Sequence, residues 1–312
     1  MAASPSSLGT HFTTDKARQG ERQPQRITFG GKGSDTGRFW YPRGVTVSEG
    51  GEIFVADSFN NRIQVFTLQG TFLCQYLTLE PGGRKINPQD VALDGKGNLW
   101  VVGAGGTESP VKKNKQGRVM RGTDLQKTVS DRGVAVDTRN NHILITHVTD
   151  DAYDSAHGEV LVFSPAGELV RTVGGDCSWT GWFASLLWRQ GMRIKDPQYI
   201  TVDGEGNILV SDWGNHSVYV CNEDGVYLFQ FGGGGSGEGQ LKHPCGICTD
   251  RAGNIIVADM GNSRVEMFDK TGRFLKHITT DIEKPQAVAM APQGQLVVTD
   301  AQEHSVSIFQ NF

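Results

Sequence analysis

A chain of 312 residues with 37 % hydrophobic and 21 % charged residues carries enough apolar material for a real core, in an ordinary globular mixture. Its formal net charge of −4 excludes whole-molecule attraction to polyanions and leaves only a local basic sector for that purpose. The N-terminal MAASPSSLGTHFTTDKARQG has no apolar h-region and no stretch is long enough to span a bilayer, so a cytoplasmic protein without a membrane anchor is expected.

The 41 glycines and the many Val, Ile, Thr and Phe residues favour short strands joined by tight turns. Five cysteines (Cys74, Cys177, Cys221, Cys245, Cys248) at irregular spacing suit free thiols. Cys245 and Cys248 form a lone CxxC inside an expected strand, where residues three apart face opposite sides, so the pair is read as packing.

In chain order, residues 1–24 read as a flexible lead-in, followed by a strand in QRITFG (25–30). Six related units then begin at PRGVTV (42), PQDVAL (88), DRGVAV (131), PQYITV (197), PCGICT (244) and PQAVAM (285). Their mean interval is near 49 residues, the length of a propeller blade. The first unit reads as four strands, GVTV, IFVAD, RIQVF and TFLCQYL, with Gly, Asn and Asp in the turns. The last unit supplies three strands before Phe312, and QRITFG matches the fourth strands LFQFGG (228–233) and LVRTVGG (169–175). The expected fold is therefore all-β: a six-bladed β-propeller over residues 25–312, its ring closed by the N-terminal strand completing the last blade.

The second strands end in Asp57, Asp212, Asp259 and Asp300, each able to accept loop N–H groups as in an Asx-turn. Asn60, Asn215 and Asn262, three residues later, suit the left-handed conformation, and Arg62 and Arg264 begin third strands within reach of the carboxylates. These six acids and arginines are read as structural.

The pattern P-x-G-[VI] followed by [VI]-x-D-x-x-N-x-R-[VI]-x-x-F resembles the NHL repeat, and the resemblance covers nearly the whole chain from Gln25. The connectors FGGKGSDTGRFWYP (29–42) and FGGGGSGEGQLKHP (231–244) have identical length and the form that links NHL blades. The chain is thus similar to the C-terminal domains of TRIM-NHL proteins, which recognise protein partners or single-stranded RNA while a RING domain transfers ubiquitin. That resemblance implies a substrate-recruiting module without ligase activity of its own, since this chain has no RING-type Cys/His spacing. The pattern lapses in the second and third units, where Gly103 and His147 replace the Asp; their third strands are expected from Arg118 and Glu159, after long loops. A longer connector, Gly174 to Pro197, is expected to hold a helical turn or two around GWFASLLWRQG.

Loops between second and third strands share a face with the blade connectors, and variable loops on a rigid scaffold carry recognition. Candidate anchors there are Phe59, Trp213 and Met260, with Trp40, Tyr41, Trp179, Trp182 and Trp188; Phe39 and Leu241 are expected to plug blade gaps. A basic sector is expected from Lys32, Arg38, Arg43, Arg84, Lys85, Lys112, Lys113 and Lys115, against the acidic Asp150, Asp151 and Asp154 of the third unit.

Six-bladed propellers also include lactonases and an amidating lyase with a metal on the central axis. Here the first-strand ends offer only Asp90, Asp131, Asp196 and His243, so no metal, cofactor or catalytic residue is assigned. The leading reading is non-catalytic binding of a protein segment. Single-stranded RNA binding through the basic sector is the alternative and a metal-dependent propeller hydrolase or lyase the remote one; DNA and membranes are not expected partners.

Overall fold

The computed structural model describes residues 25–79, 83–104, 111–113, 119–122, 132–149, 157–174, 193–278, 280–310 and 312. Their strands form six four-stranded antiparallel sheets, the blades of a propeller. Blade I comprises β2 (Pro42–Val47), β3 (Ile53–Asp57), β4 (Arg62–Phe66) and β5 (Phe72–Leu77). Blade II has β6 (Asn87–Leu93), β7 (Leu99–Ala104), β8 (Val111–Lys113) and β9 (Val119–Gly122). Blade III has β10 (Val134–Asp137), β11 (His142–Thr149), β12 (His157–Phe163) and β13 (Leu169–Gly174). Blade IV has β14 (Pro197–Val202), β15 (Ile208–Asp212), β16 (Ser217–Cys221) and β17 (Tyr227–Gly232). Blade V has β18 (Pro244–Thr249), β19 (Ile255–Asp259), β20 (Arg264–Phe268) and β21 (Phe274–Ile278).

Blade VI joins both ends of the chain: β22 (Pro285–Met290), β23 (Leu296–Asp300), β24 (Ser305–Gln310) and, outermost, β1 (Gln25–Gly30). Gln25 pairs with Gln310 and Gly30 with Ser305, as the ring-closure expectation requires. Arg26 fastens the joint: Nε donates to Ser307 Oγ at 3.1 Å, Nη1 to the Thr280 carbonyl at 2.9 Å, and the guanidinium lies 5.5 Å from the Phe309 ring centre.

Middle strands are buried on both faces while outer strands alternate, as a radial stack of sheets demands. Between blades VI and I, Phe39 is fully buried beside Phe66 (ring centres 5.5 Å apart) and Phe29 (6.3 Å). Leu241, also fully buried, plugs the equivalent gap between IV and V, near Phe231 and Phe268. Near the axis the first strands crowd together: a Cβ on Gly246 would meet the Ala287 Cα at 2.4 Å, so only glycine lets those backbones approach.

Blade II corrects the sequence reading. Its third strand is β8, not a strand beginning at Arg118, and Lys113 pairs with Leu99 at the start of β7. In blade III, β11 and β12 extend beyond the usual length, with His147 opposite Glu159. No helix among the described residues is long and apolar enough to cross a membrane.

Candidate functional site

Each second strand ends opposite the start of its first strand, as Asp57 does opposite Pro42, so the 2–3 loops and the blade connectors share one face, here called upper. The carboxylates at those strand ends organise it. Asp57 Oδ1 accepts the Trp40 N–H at 2.7 Å, and its Oδ2 accepts from Arg62 Nε at 2.6 Å and Asn60 Nδ2 at 2.9 Å. Asp259 repeats this with the Lys242 N–H (2.6 Å), Arg264 (2.8 Å) and Asn262 (2.7 Å). Burial is the largest influence on Asp57 and raises its pKa, against the lowering by these donors.

The predicted Asx-turn occurs only where the third strand starts with Ser. Asp212 accepts the N–H groups of Gly214 and Asn215 at 3.0 and 3.1 Å, and Asp300 those of Gln302 and Glu303 at 2.8 and 3.1 Å. All four carboxylates accept a connector N–H; where Arg is present, the guanidinium takes the place of the loop N–H groups. The left-handed residues also fall one position later than expected, at Asn61, His216 and Ser263, with His304 completing the set (φ 54°, 55°, 53° and 52°). Asn60, Asn215 and Asn262 use their side-chain amides to tie the Asp to the carbonyls of Gly33, Arg193 and Gly235.

These ties present one exposed aromatic cluster. Phe59, Trp40 and Tyr41 are 46 %, 43 % and 38 % exposed. Phe59 stands between the other two, 5.9 Å from the Trp40 ring centre and 5.0 Å from that of Tyr41. Lys32 and Arg38 are exposed on the same connector, and Arg84 and Lys85 are exposed on the connector into blade II. Arg43 is half-buried and lies close enough to Tyr199 to influence its hydroxyl.

Other candidates part from this cluster. Trp213 and Met260 are half-buried and pack against the main core, Trp213 stacking on His243 with ring centres 4.0 Å apart. The αL connector residue brings that imidazole over the indole, which the sequence did not reveal. Lys112 and Lys113 lie in β8 at the end of blade II away from the upper face, because β8 pairs with the beginning of β7. Lys115, Trp179, Trp182, Trp188, Asp150, Asp151 and Asp154 lie outside the described residues.

Two histidines that sequence reasoning left without a role fasten the connectors. The Tyr41 N–H donates to His304 Nδ1 at 3.1 Å, and the His243 N–H donates to His216 Nδ1 at 3.0 Å. Their pKa values are lowered, first by burial and next by Lys32 beside His304 and His243 beside His216. The shared spacing, four residues after Asp212 and Asp300, was the available signal.

On the axis, a cavity of about 280 Å³ is lined by the first strands of all six blades. At its upper end the Tyr199 hydroxyl accepts a hydrogen bond from Gln286 Nε2 at 3.3 Å, linking blade IV to blade VI past blade V. Asp90, buried beside it, accepts the Val134 N–H at 2.9 Å, and burial pushes its carboxyl up to about 7. Among the described residues no three His, Cys, Asp or Glu side chains converge as a metal site requires, and the four described cysteines are free.

The NHL repeat family matches residues 39–66, and a family described as a 6-bladed beta-propeller matches residues 183–307. Among curated proteins, "Protein brain tumor" of Drosophila melanogaster is 27 % identical over 120 residues, which span 38 % of this chain and 12 % of that protein. A streptogramin B lyase has a TM-score of 0.62 at 13 % identity, covering 92 % of this chain and 97 % of its own. A structural genomics protein of unknown function from Bacteroides thetaiotaomicron has a TM-score of 0.67 at 14 % identity, over 92 % of this chain and 76 % of that one. A protein designated a gluconolactonase has a TM-score of 0.65 at 16 % identity, over 91 % and 92 % of the two chains. At such identities the structural likeness establishes the fold alone: this chain is an all-β, six-bladed propeller carrying an NHL repeat.

Proposed function

We propose that residues 25–312 form a non-catalytic recognition module that binds a protein segment through the upper face, with Phe59, Trp40 and Tyr41 as its anchor. The exposed three-ring cluster carries this reading. Large aromatic side chains held by rigid connectors offer apolar area with little ordering cost, and Lys32 and Arg38 beside them favour a segment with acidic flanks. In a TRIM-NHL-type ubiquitin ligase, such a face would recruit the substrate to a RING domain elsewhere. The Tyr199–Gln286 bond supports the non-catalytic part, because it narrows the upper end of the axial cavity, where a metal-dependent propeller enzyme would receive its substrate.

A peptide display library panned on the purified chain tests this. Enriched peptides are expected to lose at least tenfold in affinity with Phe59→Ala and to tolerate a rise in salt; indifference to Phe59→Ala sinks the reading.

Single-stranded RNA is the second reading, favoured by aromatic rings beside Lys32, Arg38, Arg84 and Lys85. With Lys112 and Lys113 at the other end of their blade, the basic sector is smaller than the sequence suggested. An enriched RNA motif bound at physiological salt would promote this alternative.

A further inference from the structure

We propose that His304 and His216 are proton-operated latches on the upper face: each neutral imidazole holds the connector of the next blade through Nδ1, and its protonation releases that connector. The inference adds regulation to the recognition reading and rests on it for its biological meaning, but not for its test.

The geometry occurs twice. In both copies the histidine is the left-handed residue closing a 2–3 loop, and its own carbonyl accepts an N–H from the connector: Gly31 to His304 and Gly233 to His216, both at 2.8 Å. In both, Nδ1 then accepts the N–H of the left-handed residue that precedes the next blade's opening proline, Tyr41 or His243. An imidazole nitrogen can accept only while it carries no proton, so each histidine is held as the Nε2–H tautomer. The imidazolium has no acceptor nitrogen, and the two facing N–H groups must part.

The surroundings reinforce the sensitivity. His304 is buried, its ring against Tyr41 at 5.4 Å between centres, and is faced by Lys32 and by the carboxylates of Asp57, Asp300 and Glu303. His216 is half-buried, its ring 4.5 Å from that of His243, and is faced by His243, Lys242, Asp212 and Asp259. Burial and the nearby cations prevail over the carboxylates in both, which keeps the latches closed at neutral pH and opens them on acidification. Release of Tyr41 loosens the Tyr41–Phe59–Trp40 cluster, because Phe59 touches both other rings. In blade I the corresponding left-handed residue is Asn61, whose amide donates to Asn87 Oδ1, a link without a titrating group.

The test requires no ligand. The backbone amide signals of Tyr41 and His243 are followed by ¹H–¹⁵N NMR from pH 8 to pH 5 in the wild type, His304→Asn and His216→Asn. Asparagine tolerates the left-handed conformation and offers a non-titrating acceptor near the Nδ1 position. In the wild type both amides are expected to shift together with the titration of their own histidine, with midpoints below the ordinary value of about 6.5. His304→Asn should abolish the Tyr41 response and leave that of His243 intact, and His216→Asn the reverse, so each variant is the folding control for the other. Amides that stay in place while the imidazoles titrate, or that move equally in the variants, would overturn the proposal. A latch that titrates as expected on a protein whose ligands ignore Phe59 would sink only the recognition reading.

Discussion

Glu266 occupies in blade V the place that Gln64 holds in blade I. Gln64 Nε2 donates to the Arg38 carbonyl at 2.7 Å and to Asp57 Oδ2 at 3.2 Å, while its Oε1 accepts the Gly37 N–H at 2.9 Å. Glu266 is fully buried at the matching position, near Asp259 and the Gln240 carbonyl, both of which already accept from Arg264. A carboxylate has no hydrogen to give them. Arg264 Nη2 at 2.8 Å draws the group toward its charged form, yet burial outweighs it and, with Asp259 and Glu238 nearby, pushes it up to about 8.

The native state therefore binds a proton at Glu266 that the unfolded chain has already released above its ordinary value of 4.5. With the folded pKa raised, the associated stability is fully present below 4.5 and fades as the pH rises through about 8. Over that window the loss is on the order of 5 kcal/mol. Glu266→Gln should remove this slope, so that the variant's advantage in thermal midpoint widens from pH 5 to pH 9. Parallel curves for the two proteins would show that the carboxyl is not protonated in the fold.

Arg62 and Asp57 form a tighter version of the pair made by Arg264 and Asp259. Their side chains are 7 % and 0 % exposed, against 18 % and 0 % for the blade V pair. Truncating Arg62 to Ala leaves a buried carboxylate without its cation, at a cost of about 3–5 kcal/mol. Arg264→Ala should cost less, since water reaches that site. Urea unfolding of both variants gives the comparison, and equal losses would mean that burial does not set the value of the pair.

Phe39 and Phe59 separate plug from anchor on neighbouring segments. Phe39→Ala opens a cavity at a fully buried site and should cost about 3–5 kcal/mol. Phe59→Ala, at a half-exposed ring, should change stability by about 0.5 kcal/mol or less while weakening ligand binding. Calorimetry checks the first contrast and peptide titration the second.

Gly30 and Gly294 both adopt positive φ, at 115° and 93°, but a Cβ on Gly30 would lie 2.7 Å from the Phe39 ring whereas one on Gly294 would meet nothing within 4 Å. Both substitutions to Ala incur backbone strain of about 1–2 kcal/mol. Gly30→Ala must in addition displace the plug between blades VI and I, so its unfolding midpoint should fall well below that of Gly294→Ala. Equal midpoints would mean that the plug shifts without resistance.

The period and the turn residues made the six blades and their closure legible, because four strands per unit leave the last blade one short unless QRITFG completes it. The reading failed where a repeat lost its markers. Without the Asp and Arg of the other copies, blade II offered no landmark for its third strand, and the lysines of VKK were assigned to the wrong end of the sheet. The stacking of Trp213 was illegible for a different reason: its partner His243 arrives from the connector into the next blade, and no local pattern encodes that contact. The roles of His216 and His304 depend likewise on backbone N–H groups distant in sequence.

The pairing of Gln25–Gly30 with Ser305–Gln310 also sets the order of events during synthesis. The strand made first must wait, without its neighbour, until the last one has left the ribosome. Five blades can form as they emerge, but the sixth cannot, and Phe29 cannot settle against Phe39 and Phe66 until it does. Completion of the ring is thus a single late step, and a propeller lacking Ser305–Gln310 exposes an unsealed apolar flank beside blade I.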